Sequence, residues 1–117
     1  CVPYHASNRI YDKQYDFSGT IPSGSASAYI GSIPIKLEKG FYSILFSGSG
    51  DCNFYIKVNY NNQGTAYKDN FYGELQCGLE SIVFYSELPI ESIDIRAETG
   101  TSFTLNDVKL YEGYRIN

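Results

Sequence analysis

The stretch CNFYIKVNY (52–60) sets Asn53, Tyr55, Lys57 and Asn59 on one side and Cys52, Phe54, Ile56, Val58 and Tyr60 on the other. A period of two with one apolar and one polar side predicts a strand that packs on one face and meets solvent or a ligand with the other. A ring among amides and an ammonium can stack on C–H surface while its neighbours hydrogen-bond hydroxyl groups. A second run, SIDIRAE (92–98), points Asp94 and Arg96 away from Ile93, Ile95 and Ala97. These two residues join the first set if both strands lie in one sheet. The irregular stretch 61–78, in which a short strand is expected from Tyr72 to Cys77, adds Tyr67, Phe71 and Tyr72, and loops carried on a rigid scaffold are common binding sites. The candidate binding residues are therefore Asn53, Tyr55, Lys57, Asn59, Tyr67, Tyr72, Asp94 and Arg96. Tyr is also simply a good strand residue, and Tyr67 and Phe71 could equally pin their loop to the core.

The residue types do not assemble a reaction centre. His5 is the only His, so any Ser-His-Asp or Cys-His device would have to use it. Asp94 and Glu98 share a strand face four residues apart, about 13 Å at the rise of a strand. Glycoside hydrolysis uses carboxylates roughly 5 to 10 Å apart. Arg96, between them, is expected to bind both in a surface ion-pair ladder. Gly48 and Gly50 sit in a turn rather than before a helix, so there is no phosphate loop. Three Cys and one His with no C-x-x-C pair do not make a zinc site. Cys52 and Cys77 either pair across a loop of about 25 residues, worth roughly 3 kcal/mol in the chain-entropy picture, or act as small buried hydrophobes. We read the chain as a non-enzyme.

The elements that would position these groups are short strands. AYIGSIPIKL (28–37) places Tyr29, Gly31, Ile33, Ile35 and Leu37 on one side, with Pro34 marking an edge or a break. GFYSILFSG (40–48), LESIVFYSE (79–87) and the hairpin 91–112 follow. In the hairpin, Phe103 and Leu105 keep one phase, while Val108 and Leu110 resume it one residue out of step. That shift predicts a bulge at Asn106-Asp107. About eight strands with turn signals every 8 to 12 residues predict an all-β antiparallel sandwich. Residues 1–28 read as an irregular N-terminal arm, apart from one strand at 10–17.

Length and composition agree. The 117 residues suit one domain, 1–117. The chain is rich in Tyr and only 19% charged, which is the balance of a β-rich surface or secreted domain. With a net charge of -4 and no basic cluster, neither nucleic acid nor an acidic membrane surface is an expected partner. No apolar run has the length of about 18 residues that spans a bilayer. The sequence contains no Met, so it reads as a processed product or a fragment of a larger protein. Cys1 then marks either a cut boundary or a lipid-bearing N-terminus.

The order LEKGFYSILFSGSG, CNFYIKVNY and LESIVFYSELPIESIDIRAETGTSFTLNDVKLYEG resembles the jelly-roll carbohydrate-binding modules. YDFSGTIPSGSASAYIGSIPIKLEKGFYSILFSG is similar to modules of phage tail and receptor-binding proteins. The resemblance spans roughly residues 15–113, and Gly40-x-Tyr42 and Asn106-Asp107-Val108-x-Leu110 are its most specific pieces. It implies a jelly roll that recognises cell-surface polysaccharide for host attachment, extracellularly or on a virion. Other subunits of a larger assembly, in a homotrimer for instance, would be its further partners. It also implies a structural calcium near Asp107, but the usual N-terminal acidic partner and a Trp are missing, so no cofactor is assigned. The alternative is a structural assembly or adhesion module of a virion or surface fibre with no small ligand.

Overall fold

A computed structural model describes residues 8–61, 68–72, 74–76 and 79–113. Among the described residues nine strands run antiparallel: β1 (Arg9–Thr20), β2 (Ser27–Ile33), β3 (Gly40–Gly50), β4 (Asn53–Tyr60), β5 (Lys68–Tyr72), β6 (Glu74–Gln76), β7 (Leu79–Ser86), β8 (Ile90–Glu98) and β9 (Ser102–Glu112). β1 pairs with β9, β2 with β8, β3 with β7 and β4 with β5. The two halves of the chain thus form one long hairpin whose arms pair in reverse order. The hairpin wraps on itself through β3·β9 and β4·β8. Wrapping yields two sheets, β1-β9-β3-β7-β6 and β2-β8-β4-β5. This is a jelly roll.

The alternating residues account for the wrapping. Phe54, Ile56, Val58 and Tyr60 of β4, Ile93, Ile95 and Ala97 of β8, and Tyr42, Ile44 and Phe46 of β3 all enter one core. Phe46, Phe54 and Phe103 fill one end, with ring centroids 5.4 and 6.0 Å apart. Tyr42, Phe84 and Phe71 fill the other, at 5.9 and 4.9 Å. The expected bulge is present. Asp107 lies opposite Ser47 and Leu105 opposite Gly48, leaving Asn106 as the extra residue. Phe103, Leu105, Val108 and Leu110 consequently all reach the core.

Three expectations are corrected. Residues 9–20 form one strand along β9, so the strand read at 10–17 extends at both ends into residues given to the irregular arm. In the stretch 61–78, β6 falls within the strand expected from Tyr72 to Cys77, but β5, which pairs with β4, adds a strand where a loop was expected. In β2 the register slips between Tyr29 and Gly31. Tyr29 therefore faces out while Ile33 is buried, although simple alternation put them together. Pro34 ends this strand, and Leu37 regains contact through a two-way backbone bridge with Ile90.

Asp51 closes one end of the sandwich. Its carboxylate Oδ1 accepts hydrogen bonds from the backbone N–H groups of Thr101 (3.0 Å) and Ser102 (2.9 Å) in the β8–β9 turn. Those bonds, the Ser102 one foremost, hold its pKa below the usual aspartate value. Before it, Gly50 adopts φ 110°, and a Cβ there would sit 2.5 Å from the Ser102 carbonyl oxygen. Cys52 is buried with a free thiol, its Sγ 3.8 Å from Asp51 Oδ1. Cys77 lies outside the described residues.

Two predictions follow from this packing. Ile56→Ala, on a central strand, should lower unfolding free energy by about 2 to 5 kcal/mol, whereas Lys57→Ala on the opposite face should stay within about 0.5 kcal/mol; urea denaturation compares them. For Asp51 the folded pKa lies below the unfolded one. Its stabilisation is therefore complete above the unfolded value of about 3.9 and fades as pH falls towards the folded value. The gap in thermal midpoint between wild type and Asp51→Ala should be widest near neutral pH and narrow below about pH 4.

Candidate functional site

The outer face of β2-β8-β4-β5 is built from the residues the core leaves over. Wrapping makes β4 and β8 neighbours, so the sequence's two polar runs meet. Asn53 lies opposite Glu98, Tyr55 opposite Arg96, Lys57 opposite Asp94 and Asn59 opposite Ser92. β5 extends the rows, with Tyr72 beside Tyr55, Asn70 beside Lys57 and Lys68 beside Asn59. β2 closes the other side, with Tyr29 against Arg96 and Ser32 against Asp94. One row, Tyr29–Arg96–Tyr55–Tyr72, therefore crosses all four strands. Three inter-strand gaps make it about 14 Å long.

Arg96 organises the row. Its Nε donates to the Tyr55 hydroxyl and its Nη2 to Ser27 Oγ, each at 3.0 Å. A planar guanidinium presents donors in a fixed fork, and here that fork ties β2, β8 and β4 together. The ion-pair ladder expected of Asp94, Arg96 and Glu98 is not formed. Same-face residues along a strand stand about 7 Å apart, whereas cross-strand neighbours stand about 5 Å apart, so Arg96 turns sideways. Lys57 and Asp94, though opposite each other, make no ion pair among the described residues and leave one cation and one anion facing solvent. Asn59 Nδ2 donates to Ser92 Oγ at 3.0 Å.

Tyr55 differs from its expected role. It sits on the outer face, yet the residue is only 6% exposed. Tyr72 stacks on it at 5.3 Å with 22° between planes, and Arg96 holds its hydroxyl. Tyr55 supports the surface rather than presenting it. The rings that reach solvent are Tyr29 and Tyr72, at 55% and 57% exposure. Tyr29 escapes a sequence reading because the slip in β2 reverses its side. Phe71, paired with Ile56 and stacked on Phe84, packs on the core. Tyr67 and His5 lie outside the described residues.

On the other sheet, Asp107 has Gln14 and Ser47 as register neighbours. Calcium takes six to eight oxygens. Among the described residues no three His, Cys, Asp or Glu side chains gather to hold a metal ion.

No protein-family model and no curated protein matches this sequence. Several solved structures are similar in fold. The infectious bursal disease virus VP2 subviral particle shares 13% identity over 92% of this chain and 34% of its own, with a TM-score of 0.48. The CBM22-1–GH10 modules of a Clostridium thermocellum endo-1,4-β-D-xylanase, complexed with xylohexaose, share 10% over 92% and 29%, with a TM-score of 0.49. A glycosylation-associated protein complex from Streptococcus agalactiae shares 11% over 87% and 24%, with a TM-score of 0.44. The chain spans about a third or less of the length of these structures.

The Arg96 fork yields a further prediction. Arg96→Ala should cost about 1 to 3 kcal/mol by leaving Tyr55 and Ser27 without their donor. Arg96→Lys should recover little of that loss, because a point charge cannot reach both acceptors. Denaturant midpoints measure both.

Proposed function

We propose that this domain is a non-catalytic recognition module and that the outer face of β2-β8-β4-β5 binds cell-surface polysaccharide. The observation that carries the reading is the row Tyr29–Arg96–Tyr55–Tyr72, with an exposed ring at each end. Sugars offer C–H faces to such rings and hydroxyls to amides and charges. Asn53, Lys57, Asn59 and Asp94 surround the row with both donors and acceptors. One sugar ring cannot touch Tyr29 and Tyr72 together across about 14 Å, so the ligand class is an oligomer or polymer lying across the strands. The expected setting is extracellular or on a virion, in a phage tail or bacterial surface protein used for host attachment. Single contacts of this kind are weak, and several copies of the domain would multiply their effect. The reading calls for no cofactor.

A second reading has its own observation. Phe41 and Tyr85 form an exposed aromatic pair, 4.7 Å apart, on the outer face of the other sheet. Such a patch would suit a neighbouring subunit in a virion or fibre assembly.

One experiment separates the two. In titrations with soluble bacterial cell-wall polysaccharide, wild type should bind saturably. Tyr72→Ala or Tyr29→Ala should each weaken binding by roughly 5- to 30-fold, the effect of losing one buried anchor, and Tyr85→Ala should change nothing. No saturable binding, together with a stable oligomer that Tyr85→Ala disperses, would favour the assembly reading.

A further inference from the structure

The exposed ring of Tyr72 stands on β5, the least secured part of the face. β5 has five residues, lies at the sheet edge and pairs only with β4 among the described residues. Its outward residues are Lys68, Asn70 and Tyr72, and its inward ones are Asp69, opposite Val58, and Phe71, opposite Ile56. Phe71 packs on Phe84. Asp69 does something different: its Oδ2 accepts the Tyr60 hydroxyl at 2.6 Å. Bonds to a carboxylate at this length are among the strong ones.

Tyr60 is a fixed post. It ends β4, is buried in the core and lies opposite Ile90. Burial, and then the bond to Asp69, push its hydroxyl well above the usual tyrosine range. A short edge strand opens as a local unit, with a free energy below that of global unfolding. Removing the tie should act on β5 before it acts on the rest of the sandwich.

We propose that Asp69 is a positioning residue, whose hydrogen bond to Tyr60 fixes β5 and so sets the Tyr72 ring against Tyr55 at the edge of the binding face. It needs no ligand contact of its own. The inference rests on the polysaccharide reading for its consequence, but its structural half can be measured without any ligand.

The test compares wild type, Asp69→Ala and Asp69→Asn in the full chain. Asp69→Ala should raise hydrogen exchange of the β5 amides about tenfold while β8 keeps its protection. It should also reduce the near-ultraviolet circular dichroism of the tyrosine stack. Affinity for soluble bacterial cell-wall polysaccharide should fall about tenfold. Asp69→Asn keeps an acceptor oxygen and should restore most of each signal. Unchanged β5 exchange, or β5 and β8 rising together, overturns the proposal. So does equal affinity of Asp69→Ala and a wild type that binds. If wild type itself does not bind, the polysaccharide reading falls, and the exchange data still decide the role of Asp69.

Discussion

A single apolar surface, shared by the inner faces of two sheets, places every other group in this molecule. Ile33, Ile95, Ile56 and Val58 from one sheet meet Ile44, Phe46, Val108 and Leu110 from the other, all buried. Because side chains alternate with period two, burying these residues fixes the direction of their neighbours. Asn53, Tyr55, Lys57 and Asn59 face out because Phe54, Ile56, Val58 and Tyr60 cannot. A slip of one residue in β4 would exchange the two sets and expose four apolar side chains.

The same constraint explains why polar residues distant in sequence share one surface. Tyr29, Tyr55, Tyr72 and Arg96 come from four separate strands. Consecutive strands β4 and β5 bring Tyr55 to Tyr72, β2 and β8 bring Tyr29 to Arg96, and the wrap of the long hairpin joins the two pairs by seating β4 beside β8. The Arg96 guanidinium then reaches both the β4 tyrosine and the β2 serine. Two layers follow: Tyr55 and Arg96 form a supporting level, and Tyr29 and Tyr72 stand exposed above the ends of the row.

Much of this was legible in the residues themselves. The clean alternation of CNFYIKVNY and SIDIRAE identified the strands and their outward faces. The phase shift at Asn106-Asp107 located the bulge, since only an extra residue lets Phe103 and Leu110 share a core. Pro34 marked the end of β2. Which strands are neighbours was not legible, because pairing between β4 and β8 depends on wrapping across the whole chain. Tyr29 was assigned to the wrong side because a bulge in a run of small and β-branched residues leaves no phase signal. Tyr55 was read as a platform because alternation reports which face a residue takes, not what its cross-strand neighbours lay over it. β1 was legible over 10–17, whereas its ends, Arg9 and Ser18-Gly19-Thr20, carry no apolar alternation and were not.

The central claim is that the outer face of β2-β8-β4-β5 carries the recognition. Backbone amide chemical shifts, followed by NMR while soluble bacterial cell-wall polysaccharide is added, address it directly. The account predicts shifts concentrated at Tyr29, Lys57, Asp94, Arg96 and Tyr72, saturating together, with the β3–β7 face unmoved. Shifts centred on Phe41 and Tyr85, or a spectrum that does not change at all, would contradict it.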